Sequence, residues 1–236
     1  MSEAPIVPIT NVTVEHIQHM GGDVDVARAA WISTSTDERE KDTTKITGLL
    51  KYLMANHHGT PFEHTSLTVR VHAPIMVFRE WHRHRIQSFN ESSGRYSVFE
   101  PVYYMPGVGR PLINIGTSAR PEMAPASQEV YDRGIDRLLA SYEESWDAYN
   151  YLLGLGWANE MSRLVMPVGI YSSMYATANL RAWMHFLGLR TTEPNAFHQG
   201  HPQWEIVQCA KQVEEILKEH FPISMRLFDE LGRVAP

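Results

Sequence analysis

One segment of this chain alternates apolar and polar side chains, whereas most other apolar residues recur at helical spacing. Residues 65–72 (TSLTVRVH) place Leu67, Val69 and Val71 at every second position, which is typical of a half-buried β-strand. Residues 127–153 instead place apolar side chains three and four positions apart, which predicts one long amphipathic helix. These signals together predict an α+β fold in which a central sheet element lies among several helices.

Further elements are predicted along the chain. Ser35 and Glu38 are spaced as a capping box for the second helix, and Pro74 suits the first turn of the third. At 236 residues, the chain is long enough to bury a shared core as one domain. The predicted helices cover residues 23–32, 35–54, 74–85, 127–153, 159–165, 179–189 and 203–221, residues 168–178 are extended, and residues 100–126 form an irregular connection.

The charge of the chain argues against a general nucleic-acid binder. Lys and Arg number 21 and Asp and Glu number 27, which gives a net charge of −6, whereas nucleic-acid binders carry surplus positive charge. Arginine accounts for 16 of the basic residues and lysine for 5. The planar fork of arginine matches phosphate and carboxylate. The excess therefore reflects either genomic composition or an anionic ligand.

The sequence carries no signal for secretion or for a membrane. No apolar run reaches the roughly 18 residues of a spanning helix, and the first residues lack the basic and apolar regions of a signal peptide. The single cysteine permits neither an internal disulfide nor a Cys-rich zinc site. We therefore expect a cytoplasmic protein without a membrane partner.

Three familiar kinds of chemistry are disfavoured. Cys209 lies beside the apolar stripe of a predicted helix, which predicts a buried and inert thiol. Among the 12 histidines, His82 and His84 would lie on different faces of a helix, and the pair at positions 57 and 58 is adjacent. We therefore predict no metal site. No glycine-rich dinucleotide fingerprint lies between a strand and a helix.

Residues 83–96 (RHRIQSFNESSGRY) form the most informative segment. Three basic side chains come at the end of a predicted apolar helix, and a loop of small polar residues follows and is closed by Arg95. Guanidinium groups bind anions through paired hydrogen bonds, while hydroxyls and amides can contact the edge of a heterocycle. The segment predicts a site for a phosphate and a planar ring.

The same segment resembles the signature of the flavin-dependent thymidylate synthases. Segments similar to that family lie in the family's order at residues 29–33, 58–64, 163–167, 179–190 and 203–206. Trp31 replaces the family's arginine, and residues 191–202 make one connection about seven residues longer than in compact members. The eight fixed positions of the signature are all present: Arg83, His84, Arg85, Ser88, Asn90, Ser93, Arg95 and Tyr96.

This resemblance implies a single domain over residues 1–236, with a central, mostly antiparallel sheet and several long helices. It also implies an enzyme that makes dTMP from dUMP, with FAD as hydride carrier and with NADPH and 5,10-methylenetetrahydrofolate as co-substrates. The resemblance also implies a homotetramer in which each site is shared between subunits. It implies no nucleic-acid partner.

The resemblance also assigns site residues. Trp81, Leu180 and Gly94 are expected to act mainly through backbone or packing. The implied FAD contacts are Ser33, Thr60, Glu63, Arg83, His84, Arg85, Ile86, Asn90, Glu91, Asn179, Leu180, Arg181 and His185. The implied dUMP contacts are Glu80, Trp81, His82, Arg83, Glu91, Ser92, Ser93, Gly94, Arg95, Arg163 and Arg190.

Arg190 is the predicted catalytic residue. Carbon C5 of uracil is a poor nucleophile, and this chain has no suitable cysteine to add to C6. A fixed guanidinium beside the ring would stabilise negative charge near N3 and O2 that flows to C5. Two other classes remain open: a non-enzymatic nucleotide- or RNA-binding module, which predicts salt-sensitive polynucleotide binding, and a metal-dependent hydrolase, which predicts stoichiometric zinc.

Overall fold

The computed structural model describes residues 5–34 and 42–236 of the chain, and it confirms the α+β fold. Short 3₁₀ turns cover Ile32–Thr34, Thr60–Glu63 and Arg163–Val165. The strands are β1 (Val7–Ile9), β2 (Thr13–Met20), β3 (Ser66–Pro74), β4 (Ser88–Glu91), β5 (Val102–Tyr104), β6 (Ile113–Asn114), β7 (Met123–Ala124) and β8 (Tyr171–Ala178). The helices are α1 (Asp23–Trp31), α2 (Thr43–Ala55), α3 (Ile75–Trp81), α4 (Gln128–Gly154), α5 (Asn159–Ser162), α6 (Leu180–Arg190), α7 (Trp204–His220) and α8 (Pro222–Glu230).

The chain divides into two compact units. The single domain over residues 1–236 stays a prediction. Unit 1 comprises Met1–Val12, His72–Glu80 and Glu91–Ser173, and unit 2 comprises Thr13–Val71, Trp81–Asn90 and Met174–Pro236.

Unit 1 is organised around the long helix α4. Ser127 caps this helix by accepting a hydrogen bond from the Val130 amide at 3.4 Å. Strand β1 pairs in parallel with β5, and β6 pairs antiparallel with β7. The rings of Tyr103 and Tyr142 stack at 4.6 Å between centroids. They pack with Met105 and Ile170 to form the apolar core that ties α4 to the strands.

Unit 2 contains most of the central sheet, which is mostly antiparallel and has the strand order β2-β3-β8-β4. Helix α2 packs against α1 and α8, and α6 packs against α7. Trp183 on α6 is fully buried and donates its indole N–H to the Leu67 carbonyl at 3.2 Å. Because this bond joins α6 to β3, it fixes the helix that carries several predicted site residues. In the described residues, no helix has the length and apolarity needed to cross a bilayer.

Helix α3 ends earlier than the sequence pattern predicts. Its last residue is Trp81, not Arg85, so Arg83, His84 and Arg85 lie in the turn that follows. The buried Trp81 donates its indole N–H to Gln87 Oε1 at 3.0 Å, and its carbonyl accepts from the His84 amide at 2.9 Å. The one large apolar side chain in residues 82–87 is Ile86, which is exposed, so this segment lacks the buried apolar face that sustains most helices.

Several short elements escaped prediction. Residues 88–91 were expected in a loop but form β4, and the irregular segment 100–126 contains β5, β6 and β7. Strand β2 and helix α8 were also missed. Short strands gain their stability from partners distant in sequence, so local patterns do not reveal them. The predicted capping box at Ser35 and Glu38 lies outside the described residues, and α2 begins instead with Asp42, whose carboxylate accepts from the Thr44 and Lys45 amides.

A buried arginine holds the end of the chain in unit 2. Arg233 is 3% exposed and donates two hydrogen bonds to Glu214 on α7, at 3.0 and 2.7 Å. It also donates to Asp229 at 2.9 Å and to the Thr191 hydroxyl at 3.1 Å. Burial alone would raise the pKa of Glu214, but the bonds and charge of Arg233 outweigh it and lower that pKa. The pair therefore stays ionised.

We expect Arg233→Met to cost roughly 3–5 kcal/mol of unfolding free energy, because it removes the buried partner of Glu214 and leaves that carboxylate only the half-exposed Lys218, at 3.3 Å. The control is Arg226→Ala, whose exposed pair with Glu230 spans 4.0 Å and should contribute less than about 1 kcal/mol. Urea unfolding of the two variants beside the parent chain measures both values. Equal losses in the two variants would contradict this role for Arg233.

Candidate active site

A cavity of about 440 Å³ opens in unit 2 beside the turn that follows α3. Eight of its lining residues belong to the implied FAD set, so the structure brings those eight together. The lining consists of Glu63, Arg83, His84, Arg85, Ile86, Gln87, Asn179, Arg181, Ala182, His185, Ala235 and Pro236.

Three local structures position these side chains. Asn179 caps α6 by accepting from the Ala182 amide at 2.9 Å, which places the first turn of that helix at the cavity. Arg181 donates to Glu63 at 2.6 Å and to the carbonyl of Pro236. A Cβ atom at Gly59 would overlap the Arg181 side chain. Only glycine therefore lets the backbone pass so close to this guanidinium.

The cavity is suited to an anion. Its lining side chains include three guanidinium groups, on Arg83, Arg85 and Arg181, against one carboxylate, on Glu63. Arg83 and Arg85 are exposed, so their donors can meet a ligand. Ile86 is 79% exposed in the same turn and adds an apolar surface that a flat ring can cover.

A hydrogen bond between Arg190 and His84 joins the predicted catalytic residue to this cavity. Arg190 Nε donates to His84 Nε2 at 2.9 Å, and His84 is only 7% exposed. The His84 ring meets the Phe186 ring edge-on, with centroids 4.9 Å apart. Arg190 itself is not among the lining residues. It is connected to the cavity by its hydrogen bond to His84, which does line it.

The state of His84 follows from its surroundings. Burial first, and then the charges of Arg190 and His185, lower the pKa of His84 from 6.5 to about 4. The imidazole is therefore neutral at pH 7. Because Nε2 accepts the bond from Arg190, the ring proton belongs on Nδ1. A neutral acceptor in this position orients the guanidinium without cancelling its charge.

The implied dUMP residues fall into both units. In unit 2, the Trp81 side chain is fully buried against the rings of Trp183 and Phe186. The burial agrees with a packing role, and the contribution of Trp81 to dUMP binding stays a prediction. His82 lies 3.2 Å from the Met174 sulfur and packs edge-on against Phe89. Arg83, which the resemblance assigns to both ligands, is exposed in the same turn.

The remaining dUMP residues belong to unit 1. Arg95 pairs with Glu160 at 2.7 Å, and both side chains are about half exposed. The Ser92 amide donates to the Ser173 carbonyl at 2.8 Å. A Cβ atom at Gly94 would lie 2.5 Å from the Phe99 ring, so the backbone packs closely there, and the role of Gly94 toward dUMP stays a prediction. The other implied dUMP residues of this unit are Glu80, Glu91, Ser93 and Arg163.

Some implied FAD contacts do not line the cavity. Ser33 donates its hydroxyl to the Ala30 carbonyl at 2.9 Å, and Leu180 is buried with its amide donating to Thr65. Thr60 and Asn90 are exposed in unit 2, whereas Glu91 belongs to unit 1. Their contacts with FAD stay predictions.

Sequence reasoning missed four lining residues: Gln87, Ala182, Ala235 and Pro236. Gln87 follows the arginine cluster and could have been included from its position. Ala235 and Pro236 carry no chemical signal, and they reach the cavity through the segment that Arg233 anchors. The long connection supports that segment, because Asn195 donates to the Asp229 carbonyl and the Phe197 amide donates to the Gly232 carbonyl.

Two other sequence expectations have structural outcomes. Cys209 is fully buried on α7, and burial and the Glu205 charge raise the pKa of its thiol. The prediction that this thiol is buried is therefore confirmed, and its raised pKa favours an inert thiol. Trp31, which replaces the arginine of the resembling family, is 7% exposed at the end of α1. It contributes to the core and presents no charge to a ligand.

Comparison with known proteins places this arrangement in a family. The model of the family Thy1, thymidylate synthase complementing protein, matches residues 15–223. A flavin-dependent thymidylate synthase of Streptomyces avermitilis is 44% identical over 96% of this chain and 94% of its own length. One from Tropheryma whipplei is 39% identical over 97% and 96%.

A solved structure agrees with these matches. It is the UMP/dUMP methylase PolB of Streptomyces cacaoi bound with 5-Br UMP, which is 37% identical and superimposes with a TM-score of 0.92 over 99% of this chain and all of that one. With Arg83, His84 and Arg85 of the signature lining one cavity and with relatives that match along nearly their full lengths, the chain belongs to the flavin-dependent thymidylate synthase family.

Proposed function

We propose that this chain makes dTMP from dUMP by reductive methylation, with 5,10-methylenetetrahydrofolate as carbon donor and FAD reduced by NADPH as hydride carrier. The observation that carries the proposal is the cationic cavity of unit 2, where the arginine turn meets the start of α6 and where His84 binds Arg190. The relatives named thymidylate synthases support it.

The cavity residues fit FAD. Arg83, Arg85 and Arg181 would hold its diphosphate, since guanidinium donors bind phosphate oxygens in pairs. Asn179 and His185 would offer polar contacts, and Ile86 would cover part of a ring. When bound, FAD supplies the hydride that reduces the transferred carbon to a methyl group.

Arg190 would activate the nucleotide. C5 of uracil attacks carbon only when electron density is pushed toward it, and negative charge at N3 and O2 does this. A guanidinium whose Nε is already bonded to His84 has a fixed plane, so it needs little reorganisation when that charge develops. Cys209 is buried with a raised pKa, so it is unsuited to addition at C6.

UMP is a second candidate substrate. The solved Streptomyces cacaoi relative is a UMP/dUMP methylase and was captured with 5-Br UMP. We favour dUMP because the curated relatives are thymidylate synthases, at 44% and 39% identity. The two substrates differ only in the ribose 2′-hydroxyl, so a product assay separates them.

The assembly and location also belong to this proposal. Implied dUMP residues occur in both units, and Arg95 is already paired with Glu160. A homotetramer with shared sites would bring further donors to the ligands. A cytoplasmic location suits an enzyme that consumes nucleotides, folate and NADPH.

The proposed function is tested on the purified full-length chain. We expect a yellow protein whose flavin absorbance bleaches on addition of NADPH and recovers when methylenetetrahydrofolate and dUMP are added, with dTMP formed. The same mixture with UMP in place of dUMP should give 5-methyl-UMP at a lower rate. A colourless protein that binds polynucleotides in a salt-sensitive way would instead support the nucleic-acid-binding alternative.

We expect Arg83→Ala and Arg181→Ala to lower FAD affinity roughly ten- to a hundredfold, because each removes a charge-assisted contact. Arg70→Ala is the matched control, since Arg70 is an exposed arginine on β3 that faces Glu15 at 3.9 Å. The ratio of FAD to protein after dialysis measures the change. Full retention of FAD in both cavity variants would refute this assignment.

We expect Arg190→Ala to lower turnover by a factor of order 10²–10³, the usual loss of one preorganised donor. Arg190→Lys should recover little, because a point charge does not replace the planar fork. Reduction of FAD by NADPH should survive in both variants. The measurement pairs dUMP affinity with single-turnover oxidation of the reduced flavin.

The same assay examines His84. His84→Gln keeps an oxygen that can accept from Arg190 and should retain more turnover than His84→Leu.

The Arg190 prediction has its own contrary outcome. If Arg190→Ala weakens dUMP binding but oxidises flavin at a near-normal rate with saturating dUMP, Arg190 only binds the substrate.

A further inference from the structure

Three histidines that the active site does not use lie together in unit 2. His16 and His19 belong to β2, and His220 is the last residue of α7. One ring nitrogen of each lies within 4.8 Å of the corresponding nitrogen of the other two. None of the three lines the active-site cavity.

The backbone beneath these histidines is fixed by independent contacts. Strand β2 packs against α7, and the Val14 amide donates to Gln212 Oε1 at 2.9 Å. Directly after His220, helix α8 begins with its Ile223 and Ser224 amides bonded to the Asp23 carboxylate at 2.7 and 2.9 Å. The three Cα positions are therefore held without help from the imidazoles.

One pair of these nitrogen atoms is already spaced as metal ligands are. His16 Nε2 and His19 Nδ1 are 3.3 Å apart. Two nitrogens on a tetrahedral zinc ion, at Zn–N distances of about 2.0–2.1 Å, are separated by about 3.3 Å. The third imidazole offers an unused nitrogen, because His220 Nε2 is buried and has no hydrogen-bond partner among the described residues.

The close contact of the three rings also suits a cation. Metal ligation requires neutral imidazole. Protonation of all three rings would place like charges in contact, since the ring centroids of His16 and His19 lie 4.6 and 3.7 Å from that of His220. A divalent ion would instead be held by three neutral donors.

We propose that His16, His19 and His220 bind one divalent transition-metal ion of the zinc type, which links strand β2 to the end of α7. Three histidines with water in the fourth position form a known zinc environment. His19 and His220 stack at 3.7 Å between centroids, so their rings must tilt apart to point at one ion. His16 and His19 are exposed and can rotate to do so.

This site goes beyond the proposed reaction, and the proposal departs from the sequence prediction of no metal site. That expectation considered histidines close together in sequence. Here two ligands come from a strand near the start of the chain and the third from a helix near its end, so spacing along the chain gives no sign of the cluster. A metal bound to the folded state stabilises it by mass action.

The test uses the full-length chain without a histidine tag, with its flavin left in place. We expect equilibrium dialysis against Zn²⁺ to give one ion per chain, reversed by EDTA. At a hundredfold excess over Kd, Zn²⁺ should raise Tm by roughly 5–10 °C. Co²⁺ should give the intense visible bands of a four-coordinate ion, at wavelengths beyond the flavin absorption.

Variants assign the binding to these residues. His220→Gln and the double variant His16→Gln/His19→Gln should lose the bound ion and the Tm shift, whereas His201→Ala, an exposed histidine elsewhere, should keep both. Since His16 and His19 are on the surface, the double variant tests the site even if His220→Gln does not fold. Absence of stoichiometric binding, or equal binding by the double variant, would overturn the proposal. Either result would leave the proposed reaction untouched, since the flavin and dTMP assays test that separately.

Discussion

The hydrogen bond from Arg190 to the buried imidazole of His84 is the interaction on which the proposed chemistry depends. A carboxylate in the place of His84 would also hold the guanidinium, but it would neutralise the charge that the substrate is proposed to feel. The imidazole avoids this because burial keeps it uncharged, with a pKa of about 4. Two features bury the His84 ring. The Phe186 ring packs against it, and the turn that follows α3 holds its backbone through the bond from the His84 amide to the Trp81 carbonyl.

This arrangement links acidity to stability. The pKa of His84 is 6.5 in an ordinary setting and about 4 in the fold. Between these pH values His84 is protonated in the unfolded chain but not in the folded chain. His84 therefore makes the fold less stable as pH falls from about 6.5 to about 4. Above pH 6.5 this cost is absent. The site is therefore compatible with neutral conditions and is weakened by acid.

Much of the candidate site could be predicted from sequence because its donors are contiguous. Residues 83–86 contribute four lining residues through one turn, and Asn179 and Arg181 contribute two through the capped start of α6. The shape of the turn was not predictable, since the end of α3 depends on the burial of Trp81 and its bond to Gln87. Ala235 and Pro236 reach the cavity only through tertiary contacts.

The fold shows the same contrast between elements that local sequence predicts and elements that tertiary contacts determine. Long periodic segments such as α4 and α7 were predicted nearly to their ends, because their own apolar stripe decides them. Strands β2 and β4 were missed because their stability comes from neighbours in the sheet. The three-histidine cluster is the extreme case, since its members meet only after β2 has packed against α7.

The burial of the one thiol also has a pharmacological consequence. Cys209 is the single cysteine of the chain, and it is closed off among apolar side chains on α7. Alkylating agents and oxidants react with exposed thiolates of low pKa, and this protein offers none. Electrophilic nucleotide analogues that depend on capture by an enzyme thiol would dissociate unchanged. Compounds that compete for the arginine-lined cavity would not share that weakness.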